Sequence, residues 1–364
     1  MSSLAIYRKY RPKSFKELLG QELISGILRE AAKQDKIFHA YLFAGPRGTG
    51  KTTTARLIAK IANCEKLGKD GEPCNKCKFC IGIDEGRSFD VVEIDAASNR
   101  GIDEIRELKE NIRTAPAEAK WKVFIIDEAH MLTTAAWNAL LKTIEEPPGN
   151  VIFILATTEI EKVPATIASR TQQFHFQRPS VRQITDKLVS IAKSEKILVA
   201  EDAAELIAAH AEGSFRDAES LLDQLISAGK KKIELEDVER AVGKIGFQKL
   251  SAFAGEVLSG DLSAVLAAVH VIEDEGYNLP QFTKDLIGYL RRVAVLSLAP
   301  KMSSTMAKEL TEHHLEKLTA HAKLWKEPHL ELLKSLIAAY GQMRYSQFPV
   351  IPLEVALAEN LKSR

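Results

Sequence analysis

Three observations predict an α/β fold: a parallel sheet with helices on both faces, followed by an all-helical half. Over residues 1–178, short β-rich runs alternate with helical patterns. Four of the five candidate strands are apolar almost throughout, as strands covered on both faces are. Beyond Pro179 the apolar spacing is helical only.

The candidate strands are AYLFAG at 40–45, DVVEIDA at 90–96, KVFIIDE at 122–128, NVIFILATT at 150–158 and QQFHF at 172–176. After Pro179, SVRQITDKLVSIAKSEK, EDAAELIAAHAEG, SFRDAESLLDQLISAG and the shorter IELEDVERAVG read as helices of a small lid. Further amphipathic helices follow, and Phe282, Leu286, Tyr289, Val293 and Leu296, at steps of four and three, form one apolar stripe. The expected domains are 1–178, with an insertion at about 63–82, then 179–243 and 244–364. There is no low-complexity tail and no repeat with a period of roughly 20–50 residues.

With 364 residues, 45% of them hydrophobic and 27% charged, the chain has material for two or three cored domains. That excludes a disulfide-stapled mini-domain, wholesale disorder and a fibrous repeat. Lys and Arg number 50 against 49 Asp and Glu, so contact with nucleic acid needs a local basic face. The run Arg8, Lys9, Arg11, Lys13 reads as a solvated face. No apolar stretch follows the amino-terminal basic residues, and no run approaches the ~18 apolar residues that span a bilayer. A cytoplasmic protein without membrane contact is expected.

GPRGTGKT, comprising Gly45, Pro46, Arg47, Gly48, Thr49, Gly50, Lys51 and Thr52, follows a predicted strand and opens a helical stretch, which is the context of a phosphate-binding loop. Its glycines let backbone N–H groups curl around phosphate oxygens, and the helix amino terminus adds a favourable dipole. Lys51 supplies charge for the β- and γ-phosphates, and Thr52 is expected to ligate magnesium. The strand KVFIIDE ends in Asp127 and Glu128. An acidic residue there can hold the magnesium shell while its neighbour polarises the attacking water. His130 completes a DEAH string but is assigned no catalytic role.

All four cysteines fall in one stretch, Cys64, Cys74, Cys77 and Cys80. Two close Cys-x-x-Cys steps, which share Cys77, and one further thiol, Cys64, offer the four thiolates that a tetrahedral structural zinc requires, and zinc is expected there. Because this insertion branches off between core elements, loss of its metal is expected to disturb the module more than the phosphate loop.

ATTEIEKVPATIASRTQQFHF at 156–176 and GSFRDAESLLDQ at 213–224 narrow the field. They resemble the AAA+ clamp-loader family, and the cysteine insertion is similar to that of its gamma/tau branch in bacterial DNA polymerase III. The resemblance runs from YRKYRPKSFKELLGQE at 7–22 through the lid. It implies a RecA-like AAA+ core with a zinc module, a helical lid and an all-α carboxy-terminal collar. It also implies ATP as substrate, and a hetero-oligomeric ring with delta and delta-prime subunits and further gamma/tau copies. Such a ring opens a sliding clamp and places it on primer–template DNA.

By the same resemblance Thr158, ahead of Thr157, would be the first sensor of the γ-phosphate. Arg170, in SRT where the family usually has SRC, would be an arginine finger acting in trans. Arg216 would be the second sensor, and Arg11 and Pro12 would flank the adenine. The segment 97–112, with Asn99, Arg100, Gly101 and Ile102 at a helix amino terminus, would track the DNA backbone without reading bases; Asp103 and Glu104 favour the helix dipole but would repel phosphate. Two other readings are a branch-migration type AAA+ motor, in which a four-cysteine insertion is unexpected, and a non-hydrolysing scaffold, against which Lys51, Thr52, Asp127 and Glu128 argue. The sequence ends at Arg364 without the Pro-rich linker of longer tau-type members, as in a short gamma-like form or a piece of a longer chain.

Overall fold

The computed structural model describes residues 4–99, 108, 110–112, 114–243, 245–306, 310 and 312–361. They form two compact units: residues 1–179 with 213–220, and residues 180–212 with 221–364.

In the first unit the elements are α1 (Ile6–Lys9), α2 (Glu22–Lys33), β1 (Ala40–Ala44), α3 (Lys51–Asn63), α4 (Lys78–Asp84), β2 (Val91–Asp95), β3 (Lys122–Asp127), α5 (Thr134–Glu145), β4 (Val151–Thr157), α6 (Ala165–Ala168) and β5 (Gln172–His175). The five strands make one parallel sheet in the order β2-β3-β4-β1-β5. Register places Leu42 between Leu155 and Gln173, and Ile126 between Ile94 and Leu155.

Side chains alternate between two apolar layers. Tyr41, Phe43, Ile125 and Ile154 pack with Leu28 of α2 and Leu57 and Ile58 of α3. Leu42, Phe124, Phe153 and Leu155 pack with Trp137, Leu140 and Ile144 of α5. Both faces of β1, β3 and β4 are therefore buried, which is why these runs show no polar alternation. The edge strand β2 differs from the expectation for four covered strands. It keeps Glu93 and Asp95 exposed because it has a hydrogen-bonded strand on one side only.

From β1 the chain crosses to the far edge at β2, returns through β3 and β4, and adds β5 on the other side of β1. Strand order reverses at β1, and in open α/β sheets that is where a crevice opens beyond the strands' carboxyl ends.

In the second unit, α7 (Val181–Ser194) and α8 (Glu201–His210) are followed by α9 (Phe215–Ser227), whose first residues belong to the first unit, and by α10 (Leu235–Val242). Ser180 starts α7 with a capping box: its Oγ accepts from the Gln183 N–H at 3.2 Å while the Gln183 side chain accepts from the Ser180 N–H at 2.9 Å. The helical-only reading of this region misses a two-stranded parallel pair, β6 (Leu198–Val199) with β7 (Lys232–Ile233). Two residues are too few for a period, and their partners lie over thirty positions apart.

The rest of the unit is α11 (Phe247–Ser259), α12 (Leu262–Asp274), α13 (Leu279–Leu298), α14 (Ser303–Met306), α15 (Glu312–Ala322), α16 (Pro328–Met343) and α17 (Val350–Leu361). All five residues of the expected apolar stripe on α13 are buried in one core with residues of α11, α12, α16 and α17.

Candidate active site

The loop between β1 and α3 is shaped by three glycines with positive φ: Gly45 (150°), Gly48 (73°) and Gly50 (101°). At Gly48 a Cβ would stand 1.9 Å from Ser214 Oγ, and the Gly48 carbonyl accepts from the Phe215 N–H at 3.2 Å. The Gly45 N–H donates to the Thr157 carbonyl at 3.1 Å, tying the loop to the end of β4.

Lys51 is buried and its Nζ donates to the carbonyls of Gly45 and Pro46, each at 2.8 Å. Burial pushes its pKa down, and the charges of Glu128 and Asp127 oppose that shift. Thr49, also buried, donates from Oγ1 to the Pro46 carbonyl at 2.8 Å. Arg47, in the same loop, is exposed.

β3 delivers Asp127 to the same place, where it accepts from Thr52 Oγ1 at 2.7 Å. Glu128 follows in a left-handed conformation, φ 48°, uncommon for a residue with a side chain and characteristic of strained functional turns. Thr158 Oγ1 donates to Glu128 Oε2 at 3.3 Å. Thr157, the last residue of β4, is fully buried and accepts from the Glu159 N–H at 3.0 Å.

One residue without a sequence-based role stands among these groups. His130 lies with Nδ1 3.1 Å from Thr157 Oγ1 and 3.6 Å from Glu128 Oε2, and with Nε2 3.2 Å from Glu159 Oε1. Its position two residues after Glu128, in the turn Ala129–Met131, is the only sequence signal that could have marked it.

The arginines divide. Arg216 places its guanidinium 5.2 Å from the Tyr7 ring centroid. Arg11 is half-buried, and its pKa is pushed down first by burial and then by the positive charge of Arg56, with Glu93 opposing and Arg216 and Arg8 adding to the shift. Arg56 pairs with Glu93 at 2.5 Å. Pro12 is half-buried next to Arg11. Arg8, Arg56 and Arg216 thus lie close enough for their charges to act on Arg11. Arg170 points elsewhere: it pairs with Glu145 at 2.7 Å and donates to the Thr166 carbonyl at 2.8 Å. Asn99 follows β2 and donates from Nδ2 to the Asp95 carbonyl at 3.1 Å. Arg100, Gly101 and Ile102 lie outside the described residues.

The four cysteines meet. Cys64 ends α3, Cys77 precedes α4 and Cys80 lies in its first turn. All four Sγ atoms lie within 4.8 Å of one another, and those of Cys74 and Cys80 are 3.9 Å apart. A tetrahedron with metal–sulfur bonds of about 2.3 Å has edges of about 3.8 Å, so the group fits zinc. The N–H groups of Cys77 and Lys76 donate to Cys74 Sγ at 3.3 and 3.4 Å. Burial raises the Cys74 pKa, but these bonds outweigh it and bring the thiol to about 6; at Cys80 burial wins and pushes the thiol up. No other group of three metal-capable side chains occurs among the described residues, and none of their helices is long and apolar enough to cross a membrane.

Family models match the chain in three successive blocks. They are DNA polymerase III, delta subunit, over 20–180; DNA polymerase III clamp loader subunit, ATPase lid domain, over 183–231; and DNA polymerase III subunits gamma and tau domain III, over 233–359. The chain is 40% identical over 359 residues to DNA polymerase III subunit tau of Bacillus subtilis, covering 99% of this chain and 63% of that protein. It is 43% identical over 316 residues to DNA polymerase III subunit gamma/tau of Mycoplasma pneumoniae, covering 85% and 46%. The chain thus spans 46% to 63% of the length of these two relatives. Among solved structures, the Bacillus subtilis DNA clamp loader delta protein aligns over 93% of this chain and 99% of that one, with a TM-score of 0.42 and 14% identity, a likeness too distant to argue from. The identity to tau and gamma/tau subunits and the order of the three blocks agree: the chain belongs to the gamma/tau family of DNA polymerase III subunits.

Proposed function

We propose that this chain is the ATP-hydrolysing motor subunit of a DNA polymerase III clamp loader, using ATP to place a sliding clamp on primed DNA. The observation that carries the reading is the convergence of Lys51, Thr52, Asp127, Glu128 and Thr158 at the carboxyl ends of β1, β3 and β4.

The N–H groups of 47–52 cradle the phosphates, and Lys51 exchanges its two loop carbonyls for phosphate oxygens. Thr52 Oγ1 and Asp127 Oδ2, 2.7 Å apart, are the hard oxygens that suit magnesium. Magnesium, when bound, supplies positive charge that offsets the charge developing on the transferred phosphoryl group. Glu128 takes the proton of the attacking water, held in place by the Thr158 hydroxyl. Arg216 reports the γ-phosphate to the lid, Arg11 and Pro12 flank the adenine, and Arg170 reaches ATP held by a neighbouring subunit. Zinc at Cys64, Cys74, Cys77 and Cys80 is structural, since four thiolates leave no open position.

The matched blocks support a lid at 179–243 and a collar at 244–364 through which the chain assembles with delta, delta-prime and further gamma/tau copies. The clamp and the backbone of primer–template DNA are the ring's other partners, with Asn99, Arg100, Gly101 and Ile102 at the duplex. A motor that must accept any sequence needs only such backbone contacts.

The test is complementation in the assembled ring. Arg170→Ala is expected to keep ATP affinity and lose stimulated hydrolysis by a factor on the order of 10³ to 10⁵. Lys51→Ala subunits cannot use ATP but retain a finger, so mixing the two variants restores part of the activity. A ring of normal size with no rescue at any ratio removes the trans role of Arg170. Turnover of the wild type that ignores clamp and primed DNA removes the clamp-loading reading.

A further inference from the structure

Two buried charges outside the catalytic group carry the next step. Glu72, in the cysteine insertion, is only 9% exposed, yet both carboxylate oxygens are used. Oε2 accepts from the Phe15 N–H at 2.8 Å, and Oε1 accepts from the Lys16 N–H at 3.1 Å and faces Arg29 Nε at 3.1 Å. Lys60, on the phosphate-loop helix α3, is 1% exposed and reaches into the same insertion, with Nζ 3.0 Å from Asn75 Oδ1 and 2.5 Å from Asp84 Oδ1. A carboxylate and an ammonium out of water are costly unless fully partnered, and an insertion folding only for its own sake could leave both outside.

The amino-terminal arm that Glu72 holds borders the nucleotide site. Leu18 Cδ2 lies 3.7 Å from where a Cβ would sit on Gly50, and Tyr7 lies under Arg216. Farther along, Gln21 donates to the Gln177 carbonyl at 2.8 Å and accepts from the Gln177 N–H at 3.2 Å.

From this geometry we infer that the cysteine module is a strut between the two walls of the nucleotide site, anchored to α3 through Lys60 and to the amino-terminal arm through Glu72, with Glu72 the positioning residue that sets the arm against the nucleoside. The inference rests on the nucleotide-site reading above. It reverses the expectation that the module, branching off between core elements, is mechanically separate from the phosphate loop.

The experiment measures ATP and inorganic tripolyphosphate affinities, with zinc content, in wild type, Glu72→Ala and Glu72→Gln. Tripolyphosphate engages the loop but not the arm. Glu72→Ala leaves two backbone donors without their acceptor, so ATP affinity is expected to fall about tenfold, with tripolyphosphate affinity and one zinc per chain unchanged. Glu72→Gln, which keeps the volume and one acceptor, is expected to fall about threefold. Chelating zinc from wild type should lower ATP affinity as Glu72→Ala does, and should lower it no further in that variant. ATP affinity within twofold of wild type in both variants overturns the inference, as does an equal loss of ATP and tripolyphosphate. Wild type that binds neither ligand overturns the nucleotide reading itself.

Discussion

Helix α3 carries a different kind of site at each end. At its amino terminus, Gly45, Gly48 and Gly50 take positive φ and shape the turn into the helix, and one contiguous octapeptide suffices. At its carboxyl terminus the helix offers carbonyls, which cannot bind an anion and do not suit a soft metal. There the chain imports thiols from Cys64, Cys74, Cys77 and Cys80 and a buried cation, Lys60, which also complements the negative end of the dipole. The helix is 13 residues long, so the two ends stand about 20 Å apart. A helix amino terminus is a half-made phosphate site, whereas a site at the other end has to be assembled from side chains brought in from a distance.

Of changes at the two ends of this helix, Lys51→Ala gives the largest expected effect, a loss of ATP turnover on the order of 10³. Zinc content and thermal unfolding should stay near wild type, because the two loop carbonyls Lys51 holds can turn to water. A comparable loss of zinc would break the contrast between the ends. Glu128→Gln should differ in kind: ATP binds and persists, and undiminished hydrolysis would sink the role of Glu128 as base.

At the other end, Lys60→Ala strands Asp84 and Asn75 and is expected to lower unfolding free energy by about 3 kcal/mol, read by denaturant titration. A change below about 0.5 kcal/mol, the usual surface value, would mean that the module does not depend on this anchor.

Gly48→Ala sharpens the comparison at the loop. With φ at 73° and Ser214 Oγ in the way, the expected cost is about 2 kcal/mol, with ATP affinity falling in step. Unchanged affinity would show that the loop reshapes freely.

The smallest effect is in acid. Asp90, just before β2, ties the start of that strand to the segment before β3, accepting from the N–H groups of Ala117, Glu118 and Ala119 at 2.6, 2.9 and 2.8 Å. Burial alone would raise its pKa, but these three bonds and the charge of Lys122 hold the carboxyl below the usual range. A depressed folded-state pKa contributes stability that is present above the unfolded value of about 3.9 and is lost as pH falls below it. Asp90→Asn should therefore show a shallower loss of stability on acidification than wild type, and identical acid limbs would contradict the assignment.

Legibility followed sequence distance. β1, β3 and β4 could be read because burial on both faces leaves an unbroken apolar run. The β6–β7 pair could not, since neither two-residue piece carries a period. The glycine-rich turn between β1 and α3 and the grouping of the four cysteines were legible as contiguous or closely spaced patterns of few residue types. His130 was not, because its partners Thr157 and Glu159 come from another strand end, and a lone histidine in a turn looks the same whether or not a strand end faces it.

By itself the sequence determined the chemistry available at each point, namely where glycines free the backbone, where thiols cluster, and which residues cap helices and fill the core. It did so because those properties depend on residue type and on neighbours a few positions away. Tertiary structure alone decided that Glu72 meets Phe15 and Lys16 more than fifty positions earlier, that Lys60 turns into the cysteine module, and that Asp127 stands 2.7 Å from Thr52. Those partners are chosen by how strands and helices cross in space, and a charge carries no local mark of the distant group that will offset its burial.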